Sequence, residues 1–317
     1  MAPQHHALDD RAGHRWAIIL AGGEGVRLRS LVRRITGDER PKQYVALVGS
    51  RPLLRQTLDR ASLVIPAERT VIVSQQHHTA HLATVLAGRP GPTVLLQPSD
   101  RGTGAGVLLP VQWILRRDPE AVVVVFPSDH FIAEEARFMS HTAEVMAFVT
   151  QHPEWLVLLG ARPREPDPEY GWIKPGPELG RTASGPICRA EKFQEKPDAY
   201  TASSYLAEGW LWNTFVFVAH VATLRAAGQE LLGSVYDRLV RAETFAGTEL
   251  EAWALQQAYA LAARTNFSRL VLEACPPYLA VAPLPALTWS DLGTPERVAK
   301  VLGSLGADHL NDRAREK

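Results

Sequence analysis

The chain has 317 residues, 46% apolar and 21% charged, with 34 Lys+Arg balanced by 34 Asp+Glu. This is an ordinary globular composition, long enough for one large α/β domain or two small ones. The zero formal charge argues against a general nucleic-acid binder, the two cysteines with no C-x-x-C argue against thiolate zinc or redox motifs, and no apolar run reaches the ~18 residues of a membrane span.

Residues 1–15 are polar, carry His5, His6 and His14, and lack the apolar core of a signal peptide. A disordered polar tail and a cytoplasmic location are expected. From Trp16 the texture changes. Short apolar, β-branched runs (Trp16–Leu20, Thr70–Ser74, Thr93–Leu96, Ala121–Phe126 and Trp155–Gly160) alternate with helical patterns over Pro52–Val64, His77–Leu86, Gly104–Arg117 and Glu134–Thr150. Such alternation predicts an α/β fold with a parallel sheet covered by helices on both faces. Sheets of this kind bind ligands at the carboxyl ends of their strands.

The first strand runs into Ala21-Gly22-Gly23-Glu24-Gly25-Val26-Arg27-Leu28, and Pro41-Lys42-Gln43 follows. Gly-Gly-x-Gly lets backbone N–H groups approach a ligand without Cβ interference, and consecutive N–H groups make a concave anion site. Arg27 and Lys42 add cations, so a nucleoside triphosphate fits best. The dinucleotide fingerprint and the P-loop both fail: no third glycine closes G-x-G-x-x-G, and Lys42 is far from the glycines and precedes Gln43. The alternative is a tight strand-to-helix turn that binds nothing.

Further along, Phe126-Pro127-Ser128-Asp129-His130 puts a carboxylate just past a buried strand, where Asp129 either contributes a hard oxygen ligand for Mg²⁺ or caps the next turn. Proline and glycine become dense through Arg164–Pro186, and the strands after them, Tyr170–Lys174, Ile187–Gln194 and Leu211–Val218, read as shorter and less regular. Glu195-Lys196-Pro197 ends one strand with an acid for hydroxyls and an ammonium for a phosphate, or else forms an exposed charged turn. Trp212-Asn213-Thr214 sets an amide, suited to sugar hydroxyls, between an aromatic and a hydroxyl, or is core strand. A helical region over Val221–Ala263 and a strand at Tyr278–Pro283 lead to Trp289-Ser290-Asp291-Leu292-Gly293, a second carboxylate or an Asx-turn before a last helix from Pro295. Asn266-Phe267-Ser268 matches a glycosylation acceptor but carries no weight without secretion.

Taken in order, these segments resemble the sugar-1-phosphate nucleotidyltransferases, most closely the mannose-1-phosphate guanylyltransferases. The family's A-G-G-x-G-x-R-L and P-K-Q are present as Ala21–Leu28 and Pro41–Gln43, and its P-x-D-H as Pro127–His130. Its Y-G-Y/W-I is present as Tyr170–Ile173, its F-x-E-K-P as Phe193–Pro197, its L-W-N as Leu211–Asn213 and its W-x-D-x-G as Trp289–Gly293. The chain departs from the family at Gln97–Ala105, where R-N-T-A-P is expected, and at Phe215, where the family carries glycine after W-N-S/T. The S-I-D-Y-A-V-M-E segment is reduced to Ser268–Glu273, and no C-terminal cupin or β-helix repeats are present in the 317 residues.

The resemblance implies a Rossmann-like, mostly parallel sheet of the nucleotide-diphospho-sugar transferase type with a smaller sugar-side part. Residues 16–317 would form one domain, with 16–163 the nucleotide-binding core and 164–317 the sugar-binding part and C-terminal helices. It implies transfer of a nucleotidyl group from an NTP, GTP in first place, to a sugar 1-phosphate, mannose 1-phosphate in first place, with Mg²⁺ as cofactor. Arg27, Lys42 and Lys196 would be catalytic. Leu20, Ala21, Gly22, Gly23, Gly25, Gln97, Thr103 and Gly104 would hold the nucleotide. Asp129, Gly171, Glu195 and Asn213 would hold the sugar, and Asp129 and Asp291 the metal. The partners are small molecules, with no nucleic acid and no membrane, and a homodimer is compatible with this reading. The rivals are a glucose-1-phosphate thymidylyl- or uridylyltransferase, and a catalytically reduced nucleotide-sugar-binding paralogue.

Overall fold

The structure, a computed structural model, describes residues 13–315; residues 1–12 of the expected tail lie outside it. His14 and Arg15 are part of the fold: β1 starts at Arg15, and the His14 Nδ1 sits 2.6 Å from Asp118 Oδ1.

Nine strands form one sheet in the order β3-β2-β1-β4-β9-β6-β10-β8-β7. They are β1 (Arg15–Leu20), β2 (Thr70–Gln75), β3 (Thr93–Gln97), β4 (Val122–Pro127), β6 (Leu156–Ala161), β7 (Gly171–Thr182), β8 (Gly185–Glu195), β9 (Leu211–His220) and β10 (Leu279–Pro283). β5 (Phe131–Ile132) and β11 (Trp289–Ser290) pair separately. β1 pairs in parallel with β2 and β4, β2 with β3, and β6 with β10. β8 and β9 run against their neighbours. The sheet is mostly parallel and flanked by helices, as the alternation of runs predicts.

Alternate side chains of the first strands feed different faces. Ala17 and Ile19 join one core with Val124 and Phe126; Trp16 and Ile18 join the other with Val123 and Val125. The helices Leu53–Ala61 and Glu135–Gln151 cover the first face, contributing Leu54, Leu58 and Phe138. The helix Gly102–Leu115 and the helices after β9 cover the second, contributing Val107, Leu224 and Tyr259. Coverage on both sides explains why these strands read as unbroken apolar runs. Each fully buried Val, Ile or Phe contributes about 1.5–3 kcal/mol. Cys188 and Cys275 are free thiols, half-buried against the second core.

The second half differs from expectation in one respect. β7 and β8 are not short: they form a hairpin of 12- and 11-residue strands. Pro175 and Pro177 lie within β7, where the register with β8 shifts three times. Proline is tolerated in a strand at a sheet edge or a bulge, and the far half of β7 is both. The start of β7 folds back onto β9, pairing Trp172 with Trp212 and Ile173 with Leu211. The long helical region is three helices, Val221–Leu231, Gly233–Glu243 and Glu251–Leu261.

A third apolar cluster joins distant parts of the chain. Leu28 and Val32 from the first turn, Val45 and Val48, and Phe131 pack with Leu292, Val298 and Val301 from the C-terminal segment. The β5–β11 pairing lies beside it and sets Trp289 over His130, with ring centroids 5.4 Å apart. These contacts bring the opening glycine turn and the Trp289–Gly293 segment to one end of the sheet.

Candidate active site

The chain crosses from β1 to β2 and β3 on one side and to β4 on the other. That reversal opens a crevice at the carboxyl ends of β1 and β4, where α/β sheets take ligands. The glycine turn leaves β1 and borders it; Ser128 and Asp129 leave β4 and face it. Two glycines are demanded by the protein itself. Gly25 has φ +61°, and a Cβ there would lie 3.0 Å from the Lys42 backbone nitrogen. A Cβ on Gly22 would press on Gln97 and Gln75 at 3.0–3.1 Å. At Gly23 a Cβ would meet nothing within 4 Å, so the packing does not call for glycine there.

The turn is held from below. Gln43 Nε2 donates to Ala21 O (3.0 Å) and Gly23 O (2.8 Å), and the Tyr44 hydroxyl bonds Ser74 Oγ at 2.8 Å. Lys42 has its ammonium among three oxygens: Asp129 Oδ2 at 3.1 Å, Asp291 O at 2.7 Å and Leu292 O at 3.0 Å. Of the two acidic residues expected to share a metal, Asp129 reaches this ammonium with its carboxylate and Asp291 with its backbone carbonyl. Their carboxylates have different surroundings. Asp129 borders the cavity at the glycine turn, the expected nucleotide side. Asp291 borders a second cavity, the expected sugar side, takes Arg297 Nη1 on both oxygens at 2.9 Å, and accepts the Tyr170 hydroxyl at 2.9 Å. Burial would raise the Asp291 carboxyl, but Arg297, helped by His130 and Lys42, holds it below the ordinary carboxylate range.

The nucleotide-side cavity measures about 550 Å³. Leu20, Gly22, Gly23, Gly25, Gln97 and Thr103 all line it. Ala21 and Gly104 do not, which corrects their expected role. Ala21 is buried, with its N–H on Val73 O and its carbonyl taken by Gln43. Gly104 is a packing glycine: its N–H bonds Thr265 O at 3.1 Å, and a Cβ would run into Thr265 Oγ1. Gln97 is buried, with Oε1 accepting from the Tyr259 hydroxyl at 3.1 Å. Gln75 was not anticipated. It lines the same cavity, and its buried Oε1 accepts no hydrogen bond.

The second cavity is smaller, about 130 Å³, and is lined by Gly171, Glu195 and Asn213 but not by Asp129, the fourth residue expected to hold the sugar. Gly171 faces Glu195 across the β7–β8 pairing, and a Cβ there would crowd Glu195 Oε2 at 2.8 Å and Phe193 at 2.9 Å. Burial pushes the Glu195 carboxyl up, opposed by Lys196 and Arg269. Asn213 Oδ1 accepts the Phe215 N–H at 2.9 Å, an Asx turn that bends β9. Phe215 borders both cavities and has φ +57°. The family glycine at this position is thereby explained: the bend needs a left-handed residue, which costs a side chain about 1–2 kcal/mol. Lys196 (φ +50°) and Leu292 (φ +46°) are also left-handed, so three of the four such non-glycine residues among the described ones ring this end of the sheet.

Arg27 and Lys196 line neither cavity; they stand at the rim and converge on Glu169. Glu169 Oε2 is 3.1 Å from Arg27 Nη1 and 3.9 Å from Lys196 Nζ. Glu169, Arg297 and His130 escaped the sequence reading. Their adjacency to Tyr170-Gly171, to the late aspartate and to Asp129 is the only signal that pointed to them. His130 accepts the Trp289 indole N–H on Nδ1 at 3.3 Å; burial pulls its imidazole down to about 4, against the pull of Asp129 and Asp291, so it is neutral at pH 7. The Ser268–Glu273 segment, altered in sequence, still reaches the site: Ser268 borders the sugar-side cavity and Glu273 Oε1 accepts the Glu195 N–H at 3.2 Å.

The sequence profile of the nucleotidyl transferase family matches residues 16–305, nearly all of the described chain. The chain belongs to the nucleotidyl transferase family. As a nucleotidyl transferase it is 34% identical to the xanthan biosynthesis protein XanB of Xanthomonas campestris over 204 residues, covering 63% of this chain and 41% of that one. It is 27% identical to a mannose-1-phosphate guanylyltransferase of Salmonella muenchen over 282 residues, covering 87% of this chain and 57% of that one. The chain spans about half the length of the curated relatives it matches. Among solved structures, a Thermus thermophilus protein described as mannose-1-phosphate geranyltransferase superposes with a TM-score of 0.74 at 29% identity, covering 88% of this chain and 76% of that one. A Helicobacter pylori protein described as mannose-6-phosphate isomerase superposes at 0.67 with 17% identity, covering 87% of this chain and 99% of that one, a likeness of fold alone.

Proposed function

We propose that this nucleotidyl transferase joins GTP and mannose 1-phosphate to give GDP-mannose and pyrophosphate. The observation that carries the reading is the pair of cavities that share Phe215, with Asp129 and its partner Lys42 at one, Asp291 at the other, and the cations Arg27 and Lys196 converging on Glu169. One cavity has the glycine turn for a triphosphate; the other has the carboxylate and amide chemistry for sugar hydroxyls. The names of the guanylyltransferase relatives support the choice of substrates.

A phosphate oxygen of the sugar phosphate attacks the α-phosphorus; the new P–O bond forms as the Pα–O bond to pyrophosphate breaks. The second pKa of a phosphomonoester is about 6, so the nucleophile is already ionised at pH 7 and no general base is needed. The barrier to lower is repulsion between anions, together with in-line placement. In this reading the turn from Gly22 to Gly25 cradles the triphosphate. Arg27 and Lys196 exchange Glu169 for phosphate oxygens, Arg27 on the departing pyrophosphate and Lys196 on the incoming sugar phosphate. Lys42 places a positive charge beside the α-phosphate, and Glu195, Asn213 and the Gly171 backbone orient the sugar. Glu195, raised by burial and sited among hydroxyl-binding groups, is a hydrogen-bond acceptor that discriminates among sugars.

Asp129 and Asp291 each bring a hard carboxylate to this end of the sheet, the donor chemistry that suits Mg²⁺, although Lys42 meets Asp291 through its backbone carbonyl and the Asp291 carboxylate already takes Arg297 and Tyr170. Asp129 and Asp291 would hold the ion, which when bound supplies charge neutralisation between the reacting phosphates.

Phe215 favours a second reading, in which a narrowed sugar-side cavity takes a different hexose phosphate. Pyrophosphate release, measured for a panel of NTPs against mannose and glucose 1-phosphates, separates the two. GTP with mannose 1-phosphate is expected to give the highest kcat/KM. A higher value for dTTP or UTP with glucose 1-phosphate selects the rival, and no turnover with any pair points to a binding protein.

A further inference from the structure

The tip of the glycine turn carries a second cluster of chemistry that the reaction does not use. Glu24, between Gly23 and Gly25, reaches across to the start of the short turn after β2, where His77 and His78 sit. One ligand atom from each of these three side chains falls within 4.8 Å of the others. Glu24 Oε1 lies 2.9 Å from His77 Nε2 and 3.4 Å from His78 Nε2, and the two imidazole centroids are 4.3 Å apart at 66°. Donors about 2.0–2.2 Å from one ion stand roughly 3–3.6 Å from each other, so this is the spacing of ligands around a shared metal.

His78 is the observation that separates a site from a surface ion pair. It is 2% exposed, and among the described residues neither ring nitrogen meets hydrogen-bond geometry, the polar atom facing Nε2 being Glu24 Oε1 at 3.4 Å. A buried polar group left without a partner costs about 1–3 kcal/mol. An ion bound at Nε2 would take up that lone pair. Tyr44 packs against His78 at 5.6 Å and fixes the ring.

We propose that Glu24, His77 and His78 form a binding site for a borderline divalent transition ion, Zn²⁺ being the best match to two imidazoles and one carboxylate. This donor set is unlike the all-oxygen chemistry that suits Mg²⁺, and the site is separate from Asp129 and Asp291. Three protein ligands leave coordination positions open to solvent or to a phosphate oxygen. Because Glu24 is flanked by the two glycines of the turn, a bound ion would pin the turn to the segment after β2.

The test uses the full chain, stripped of metal and titrated with Zn²⁺ by calorimetry, with Co²⁺ as a spectroscopic probe. The variants are His77→Ala and Glu24→Gln, which change solvent-facing side chains and spare the buried His78. A double variant His5→Ala/His6→Ala controls for the histidines of the N-terminal tail. The expected result is one equivalent bound, with affinity weakened about tenfold or more in each site variant, unchanged in the tail variant, and a visible Co²⁺ band lost in His77→Ala. Zn²⁺ should also raise the Tm of the parent chain and not that of His77→Ala. No saturable binding, binding that survives both site variants, or binding lost only in the tail variant would each overturn the proposal.

Discussion

Asp129 lies just past β4, on the larger cavity and 3.1 Å from the Lys42 ammonium. Its replacement by Asn keeps the shape and removes the charge. The expected outcome is an intact fold and turnover reduced about 10²–10³-fold, the scale of losing one well-placed electrostatic group. Pyrophosphate assays with Mg²⁺ and GTP check this, and unimpaired turnover would end the assignment. Phe215 gives a cleaner thermodynamic test. In most strands Ala is more stable than Gly, but a left-handed position reverses the order. Phe215→Gly and Phe215→Ala both lose the ring and its edge-on contacts to Phe217 and Phe267. Phe215→Ala alone keeps the strain. The Gly variant should be the more stable by about 1 kcal/mol in urea unfolding; equal midpoints would mean the bend is not strained.

The glycine turn depends on a neighbouring element for its shape. Gln43 supports it through two carbonyls, and the fixed spacing of Pro41-Lys42-Gln43 sends Lys42 to the acidic residues and Gln43 to the turn. Gln43→Ala leaves both carbonyls without that donor and the turn free to relax. The nucleotide KM should rise about tenfold while the sugar-phosphate KM stays within about twofold, because a loss of about 1.4 kcal/mol confined to one cavity is a factor of ten there. A rise in both would show that the two cavities are not independent. At this scale the sequence was most legible. β1, β2, β3, β4 and β6 lie within one or two residues of the runs that foretold them, since strands covered on both faces are written as continuous apolar stretches. The motif residues that line the cavities stood at strand ends and could be read in order. What could not be read was non-local. β5 and β11 are two residues each and exist only as partners of one another. Gly104 looks like a ligand-binding glycine until Thr265 is seen packed against it. Glu169 and Arg297 gain their meaning from residues more than 100 positions away. The sign of φ at Phe215 is hidden by a side chain that ordinarily avoids it.

For the molecule as a whole, buried imidazoles weaken the fold in acid, two of them most strongly. His130 and His141 are both pulled down by burial to about 4 from an ordinary 6.5. The unfolded chain takes up these protons first as pH falls, so their contribution to stability is complete above about 6.5 and is lost progressively as pH drops towards 4. Each group steepens the loss by about 1.4 kcal/mol per pH unit inside that window. Asp291, held below the ordinary carboxylate range, pushes the same way at lower pH. Urea midpoints should fall steadily from pH 7 to pH 5, and His141→Phe should flatten part of the slope; a flat profile in the parent chain would refute buried neutral histidines.

The cluster that packs Leu28 and Val32 against Leu292, Val298 and Val301 has a consequence for how the protein is made. On a ribosome the β1–β4 segment emerges early and can begin to collapse, but Lys42 has no Asp291 or Leu292 carbonyl to hold until some 250 further residues have been synthesised. A nascent chain halted before Trp289 would own most of the nucleotide-side strands and none of the clasp. The contacts that fix Lys42 would therefore form late, when the segment from Leu292 to Val301 docks on the first turn.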